Sequence, residues 1–244
     1  MFASLSTLIL KEHAAVAHVL LAVNRTLEHD IAWAKALPIP LDVVLPLLGG
    51  ICWSLAYILI CWHSLREKRR IFIPILALSM NIVWEFIYSF IIDVPEEQEV
   101  IDHIWLGLDL FIIVFTWRNY LITRPQDQQG FQGFLQSFWY LVRNLLVGVF
   151  FNLVFVALVP GSSAFYGAFM INIVMSYLFI YGGGEAPNLA IAVLKMLGTA
   201  LTSLYAYIYL VQTWFMVLTY ILIFVLDCAY IFQVLRAPPK SKLA

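Results

Sequence analysis

Apolar residues run through this chain in long, nearly unbroken stretches rather than at the spacing of a surface helix or a half-buried strand. Seven stretches, roughly 42–63, 71–92, 103–123, 138–160, 164–181, 189–210 and 214–235, are each close to 20 residues long. That is the length a helix needs to cross a hydrocarbon core of about 30 Å. The pattern predicts an all-α polytopic membrane protein, with seven transmembrane helices in one bundle over residues 42–236. Residues 1–41 read differently. From His13 to His29 apolar and polar positions alternate at roughly helical spacing, which predicts an amphipathic arm lying on the membrane surface. Pro38 and Pro40 break that arm before the first span. Residues 237–244 remain as a short basic tail.

Composition agrees with the pattern. The chain is 63% hydrophobic and 12% charged, with a mean hydropathy of +0.89, more apolar surface than a soluble domain of 244 residues can cover. A net charge of -1 provides no basic footprint for nucleic acid, and no such partner is expected. Cys52, Cys61 and Cys228 all fall inside apolar runs without metal-ligand spacing. They read as packing residues, and neither a metal nor a cofactor is expected.

Charge in the connections sets the expected orientation. SLREKRR, between the first two spans, carries Arg66, Lys68, Arg69 and Arg70, whereas DVPEEQEVID, between the second and third, has no Lys or Arg. Positive loops stay cytoplasmic, so the N-terminus is expected outside or in the lumen and the C-terminus in the cytosol. Arg118, Arg124, Arg143, Arg236, Lys240 and Lys242 fit that alternation. Asn24-Arg25-Thr26, a glycosylation acceptor pattern, then lies on the lumenal side. The terminal KSKLA resembles a dilysine retrieval signal as well as a simple basic flank.

Candidate chemistry follows from the few polar residues inside the spans. MNIVWEFIYSF, Met80 to Phe90, contains Glu85, the one ionisable residue between Ile71 and Ile92. A charged residue at the centre of a span costs about 2.5–3.5 kcal/mol on insertion scales, so such a residue normally faces the bundle interior and serves a proton, an ion or a substrate. Asn81, Glu85 and Tyr88 share one helix face. Asn81 would orient the carboxyl, while Trp84 and Tyr88 wall a pocket or pack between helices. The plainer alternative is a carboxyl held for packing alone. Asp109 in the third span and Asp227 in the seventh are the other intramembrane acids. Counted from the lumenal ends, Glu85 and Asp109 lie roughly 10 Å deep and Asp227 roughly 20 Å, so all three are expected to open into one cavity. With no Lys or Arg expected opposite them at matching depth, each should sit there as the uncharged acid, able to donate a proton. Asp109 is either a third acid or a partner that fixes Glu85. Phe224 and Tyr230 flank Asp227. With Trp53 and Tyr57 of the first span they are aromatic pocket candidates, able to stabilise developing positive charge.

These motifs resemble those of the integral membrane terpene cyclases of fungal meroterpenoid and indole-diterpene pathways. The run N-x-x-W-E-x-x-Y (Asn81, Trp84, Glu85, Tyr88) carries the resemblance. It extends to G-x-x-W-x-x-x-Y (Gly50, Trp53, Tyr57) and to L-D-x-x-Y (Leu226, Asp227, Tyr230). The resemblance implies that Glu85 and Asp227 are the catalytic residues, Asp227 either as a second acid or as the acceptor of the final proton, and that no metal or diphosphate chemistry is involved. It also implies a prenylated substrate whose terminal epoxide, or an olefin, is protonated to start polyene cyclisation. The absence of DDxxD and DxDD runs argues against the soluble terpene synthase mechanisms. The second helix ends in SFIIDVPEE, unlike the Tyr-Pro ending of that family. An endoplasmic reticulum membrane location and association with other pathway enzymes would go with this reading. The alternative from a different class is a seven-helix receptor or proton-coupled carrier using the same carboxylates as ligand or proton sites.

Overall fold

The computed structural model describes residues 37–67, 71–94, 96–123, 130–182, 188–210 and 213–236. The amphipathic arm, Asn24, most of the basic loop after Arg66, the GGGEAP connection beyond Gly182 and the KSKLA tail lie outside the described residues. Within them the chain forms seven helices: α1 Leu41–Arg66, α2 Ile75–Phe90, α3 Glu96–Thr123, α4 Phe131–Leu158, α5 Ser163–Tyr181, α6 Leu189–Tyr209 and α7 Trp214–Arg236. Six are long and apolar enough to cross a membrane, and α2 is a shorter apolar helix. The fold is the expected polytopic helical bundle.

Local boundaries differ from the hydropathy reading at three places. α2 has 16 residues, about 24 Å. Pro74 is its N-cap, and its ring fixes φ and supplies no N–H for an earlier turn. Phe72 and Ile73, ahead of it, are nonetheless buried. α3 starts at Glu96 rather than near residue 103, so the acidic stretch that hydropathy leaves between two spans forms the first turns of a helix. Carboxylates such as Glu99 are favoured there by the helix dipole. α4 starts at Phe131 rather than 138, after Gly130 with φ of 113°, a backbone angle that a side chain would strain.

The helices close into a ring in the order α1, α3, α2, α5, α7, α6 and back to α1, with α4 packed outside against α2, α3 and α5. α2 is the helix most enclosed by others, with 12 of its 16 residues buried. Its shortness is tolerable because protein, not lipid, surrounds it. α4 shows how membrane helices invert the soluble pattern. Its buried positions are Gly133, Ser137, Asn144, Gly148 and Asn152, while Leu146, Phe150 and Leu153 face outward. Lipid is as apolar as leucine, so close backbone approach and interhelical hydrogen bonds drive such packing. A Cβ on Gly148 would stand 2.8 Å from the Ser79 carbonyl oxygen, and Asn152 Nδ2 donates to the Met80 carbonyl at 3.0 Å.

Candidate active site

The α2 face predicted from spacing forms the centre of a polar cluster. Asn81 Nδ2 lies 2.8 Å from Glu85 Oε1, 2.8 Å from Asp109 Oδ2 and 2.9 Å from the Tyr57 hydroxyl. One amide therefore joins α2 to α3 and α1, and the two carboxyl groups stand within two hydrogen-bond lengths of each other. An amide nitrogen carries two hydrogens and cannot serve three oxygens at once. The cluster is balanced only if one of the oxygens, the phenol or a carboxyl, supplies a hydrogen of its own. Glu85 and Asp109 are fully buried. Glu85 Oε2 and Asp109 Oδ1 have no hydrogen-bond partner among the described residues.

Beside this cluster lies a cavity of about 220 Å³. Trp53 and Tyr57 of α1, Asn81, Trp84 and Tyr88 of α2, and Trp105 of α3 form much of its wall, with further residues from α5 and α6. Each aromatic ring is held by a specific contact. Trp84 Nε1 donates to the Ala164 carbonyl at 2.9 Å, the Tyr88 hydroxyl donates to Ser163 Oγ at 2.8 Å, and Trp105 Nε1 donates to Ser54 Oγ at 3.1 Å. Tyr57 meets Trp105 edge-on, with centroids 6.3 Å apart. Two glycines make room for the larger rings. A Cβ on Gly167 would lie 3.2 Å from Trp84 Cδ1, and one on Gly198 would lie 2.7 Å from Trp53 Cδ1. The cavity sits in the half of the bundle that holds the α2–α3 connection and the N-terminal end of α5.

Two expectations need correction. The first is that the intramembrane acids lack a cationic partner. Lys195 of α6 is 2% exposed, and its Nζ lies 2.7 Å from Asp227 Oδ1. Ser176 Oγ is 2.7 Å from both. Lys195 stands alone in an apolar run of the sequence, so the intramembrane-charge argument that singled out Glu85 applied equally to it. The second is the common chamber. Glu85 and Asp109 stand behind the wall of the aromatic cavity without lining it, and Asp227 does not line it either. Asp227 lines a separate, almost wholly apolar groove of about 330 Å³ between α6 and α7, together with Phe224 and Tyr220. Glu85 and Asp227 belong to different clusters.

The remaining candidates divide in the same way. Phe224 is half exposed on the α7 side, and Tyr230 stacks on Phe179 at 4.8 Å within the core. His103, on the exposed face of α3, meets Phe90 edge-on. Gln98, Asp102 and Trp105 of α3 are among the cavity-wall residues that the sequence patterns do not single out. Asp102 borders the cavity, and its Oδ1 accepts from Gln98 Nε2 at 2.6 Å. The hydropathy boundary at residue 103 leaves Gln98 and Asp102 outside the span. From Glu96 onward, positions 98, 102, 105 and 109 form one helical stripe. Among the described residues no group of three His, Cys, Asp or Glu is arranged to hold a metal ion.

A polytopic helical bundle with a buried acid cluster behind an aromatic cavity defines the class, an integral membrane protein with a built interior site. Residues 36–182, more than half of the chain, match the Pyr4-like transmembrane terpene cyclases, and the chain belongs to that family. The match covers α1 to α5, including Asn81, Glu85 and Asp109, and ends before Lys195 and Asp227. Among curated relatives, the chain is similar to the Pyr4-family terpene cyclase mfmH of Annulohypoxylon moriforme, 34% identical over 70 residues, 29% of this chain and 28% of that protein. It is similar also to terpene cyclase andB of Emericella variicolor, 35% over 83 residues, 32% and 34% of the two chains. Terpene cyclase ascF of Acremonium egyptiacum is 33% identical over 87 residues, 35% and 30% of the two. The aligned segments thus span about a third of the relatives' length or less. No solved structure matches significantly.

Proposed function

We propose that this protein is a membrane-bound cyclase that starts ring closure of a prenylated, epoxidised substrate by protonating the epoxide oxygen. The observation that carries the reading is the Asn81 amide, which ties Glu85, Asp109 and Tyr57 together directly behind an aromatic cavity. Glu85 supplies the proton, and Asp109 shares the hydrogen inventory of the pair. Glu85 stands one side chain behind the cavity surface, so transfer requires the Asn81 amide to swing aside or the Tyr57 hydroxyl to relay the hydrogen. The epoxide C–O bond then breaks as the nearest alkene closes on the carbon, and positive charge moves along the polyene. Trp53, Trp84, Tyr88 and Trp105 offer π faces along the wall, worth about 0.5–2 kcal/mol each to a desolvated cation. Loss of a proton from the final cation balances the one donated, so product and substrate have equal mass.

The relatives' names, all terpene cyclases, support this reaction class. Arg66, Arg118 and Arg236 lie toward the end of the bundle opposite the cavity. By the positive-inside rule that end faces the cytosol, and the cavity belongs to the lumenal half of an endoplasmic reticulum membrane. The test is incubation of membranes containing the protein with a panel of epoxyprenyl substrates. A ring-closed isomer of unchanged mass is expected. Recovery of linear substrate alone across the panel would reject the proposal.

A further inference from the structure

Lys195 is the one buried cation among the described residues, the proposed chemistry leaves it unused, and its surroundings give it a role. Its Nζ lies 5.8 Å from the centroid of Trp53, which walls the cavity on α1. Gly198, one turn along α6, is what lets the Trp53 ring approach so closely. On its other side Lys195 is bound to Asp227 and Ser176, each at 2.7 Å. Lys195 of α6 and Asp227 of α7 thus converge behind one wall of the cavity.

We infer that Lys195 and Asp227 act as one neutral buried unit that seats Trp53, and that Asp227 is a positioning residue rather than a proton carrier. This inference rests on the cyclase reading. A carbocation touching Trp53 would stand within roughly 10 Å of Nζ, since ring contact adds about 4 Å. At an effective dielectric near 20, an uncompensated ammonium at that distance opposes the cation enough to slow the step by about tenfold or more. Asp227 cancels that field. Removing one member of a buried pair strands the other charge, whereas removing both can be neutral or stabilising.

The experiment is a double-mutant cycle on the full chain in membranes, with D227N, K195M and the K195M–D227N pair. Asn keeps the shape of Asp227 and an oxygen for Ser176. D227N is expected to lose about tenfold or more in turnover and to lower the thermal midpoint in detergent. The double variant is expected to recover most of both. A double variant that folds as well as wild type yet stays as inactive as D227N would overturn the inference, because Asp227 would then have to handle the proton itself. A double variant less stable than D227N would overturn it too. If the wild-type protein turns over no epoxyprenyl substrate, the cyclase reading fails while the stability arm of the cycle still decides the pairing.

Discussion

Asn81 donates to Glu85 across a single turn of α2, 2.8 Å from Nδ2 to Oε1. The same nitrogen reaches Asp109 on the neighbouring helix. A spacing of four residues on one short helix thereby organises a cluster drawn from three helices.

Glu85 carries the sharpest prediction. Glu85→Gln keeps the size of the side chain and an oxygen for Asn81 but removes the acidic proton. Turnover should fall by about 10²–10⁴-fold, with insertion and thermal midpoint close to wild type. Product formation at the wild-type rate would remove Glu85 from the mechanism.

Asn81→Leu should damage both structure and chemistry. It removes the amide facing Tyr57, Glu85 and Asp109 and leaves buried oxygens without a donor, a cost of about 1–3 kcal/mol. The expected outcome is a lowered thermal midpoint together with lost turnover. A variant as stable as wild type would mean that the cluster finds its hydrogens elsewhere.

Trp84→Phe tests the aromatic wall. The substitution keeps a π face but loses the hydrogen bond to the Ala164 carbonyl, worth about 1 kcal/mol, and frees the ring to shift. Product analysis should show a larger share of partly cyclised, prematurely quenched material. An unchanged product profile would place the reacting chain away from Trp84.

Packing has its own check. Gly148→Val would drive a side chain into the backbone of Ser79 and Met80, at 2.8 and 3.1 Å from the new Cβ, and neither main-chain atom can move cheaply. A loss of about 1–3 kcal/mol is expected. Gly107→Ala has no neighbour within 4 Å of its Cβ and should be neutral or slightly stabilising, since alanine favours the helix. Equal melting of the two variants would contradict the α2–α4 contact.

How much of this was legible without coordinates varies by residue. Glu85 stood out because a lone acid in an apolar run has one energetic explanation, and the four-residue step to Asn81 placed the amide beside it. Trp53, Tyr57, Trp84 and Tyr88 were named from their motifs, and all four line the same cavity. Asp102 is hidden from a hydropathy reading, because acidic first turns depress hydropathy while stabilising the helix, and the span's apolar part begins seven residues after Glu96. Spacing along α6 does not show that Lys195 stands opposite Asp227, because depth in one span does not tell which helix lies beside it.

Span length, helix period and the cost of intramembrane charge are local properties, so the chain by itself determined a polytopic membrane bundle of helices and the polar face of α2. Which helices touch is not local. Lipid gives no preference between one apolar face and another, and small-residue contacts such as Gly148 on Ser79 and Gly198 on Trp53 decide the neighbours. Only the tertiary structure could therefore assign Asp109 to Glu85's cluster, Asp227 to Lys195's, and the aromatic cavity to the first of these.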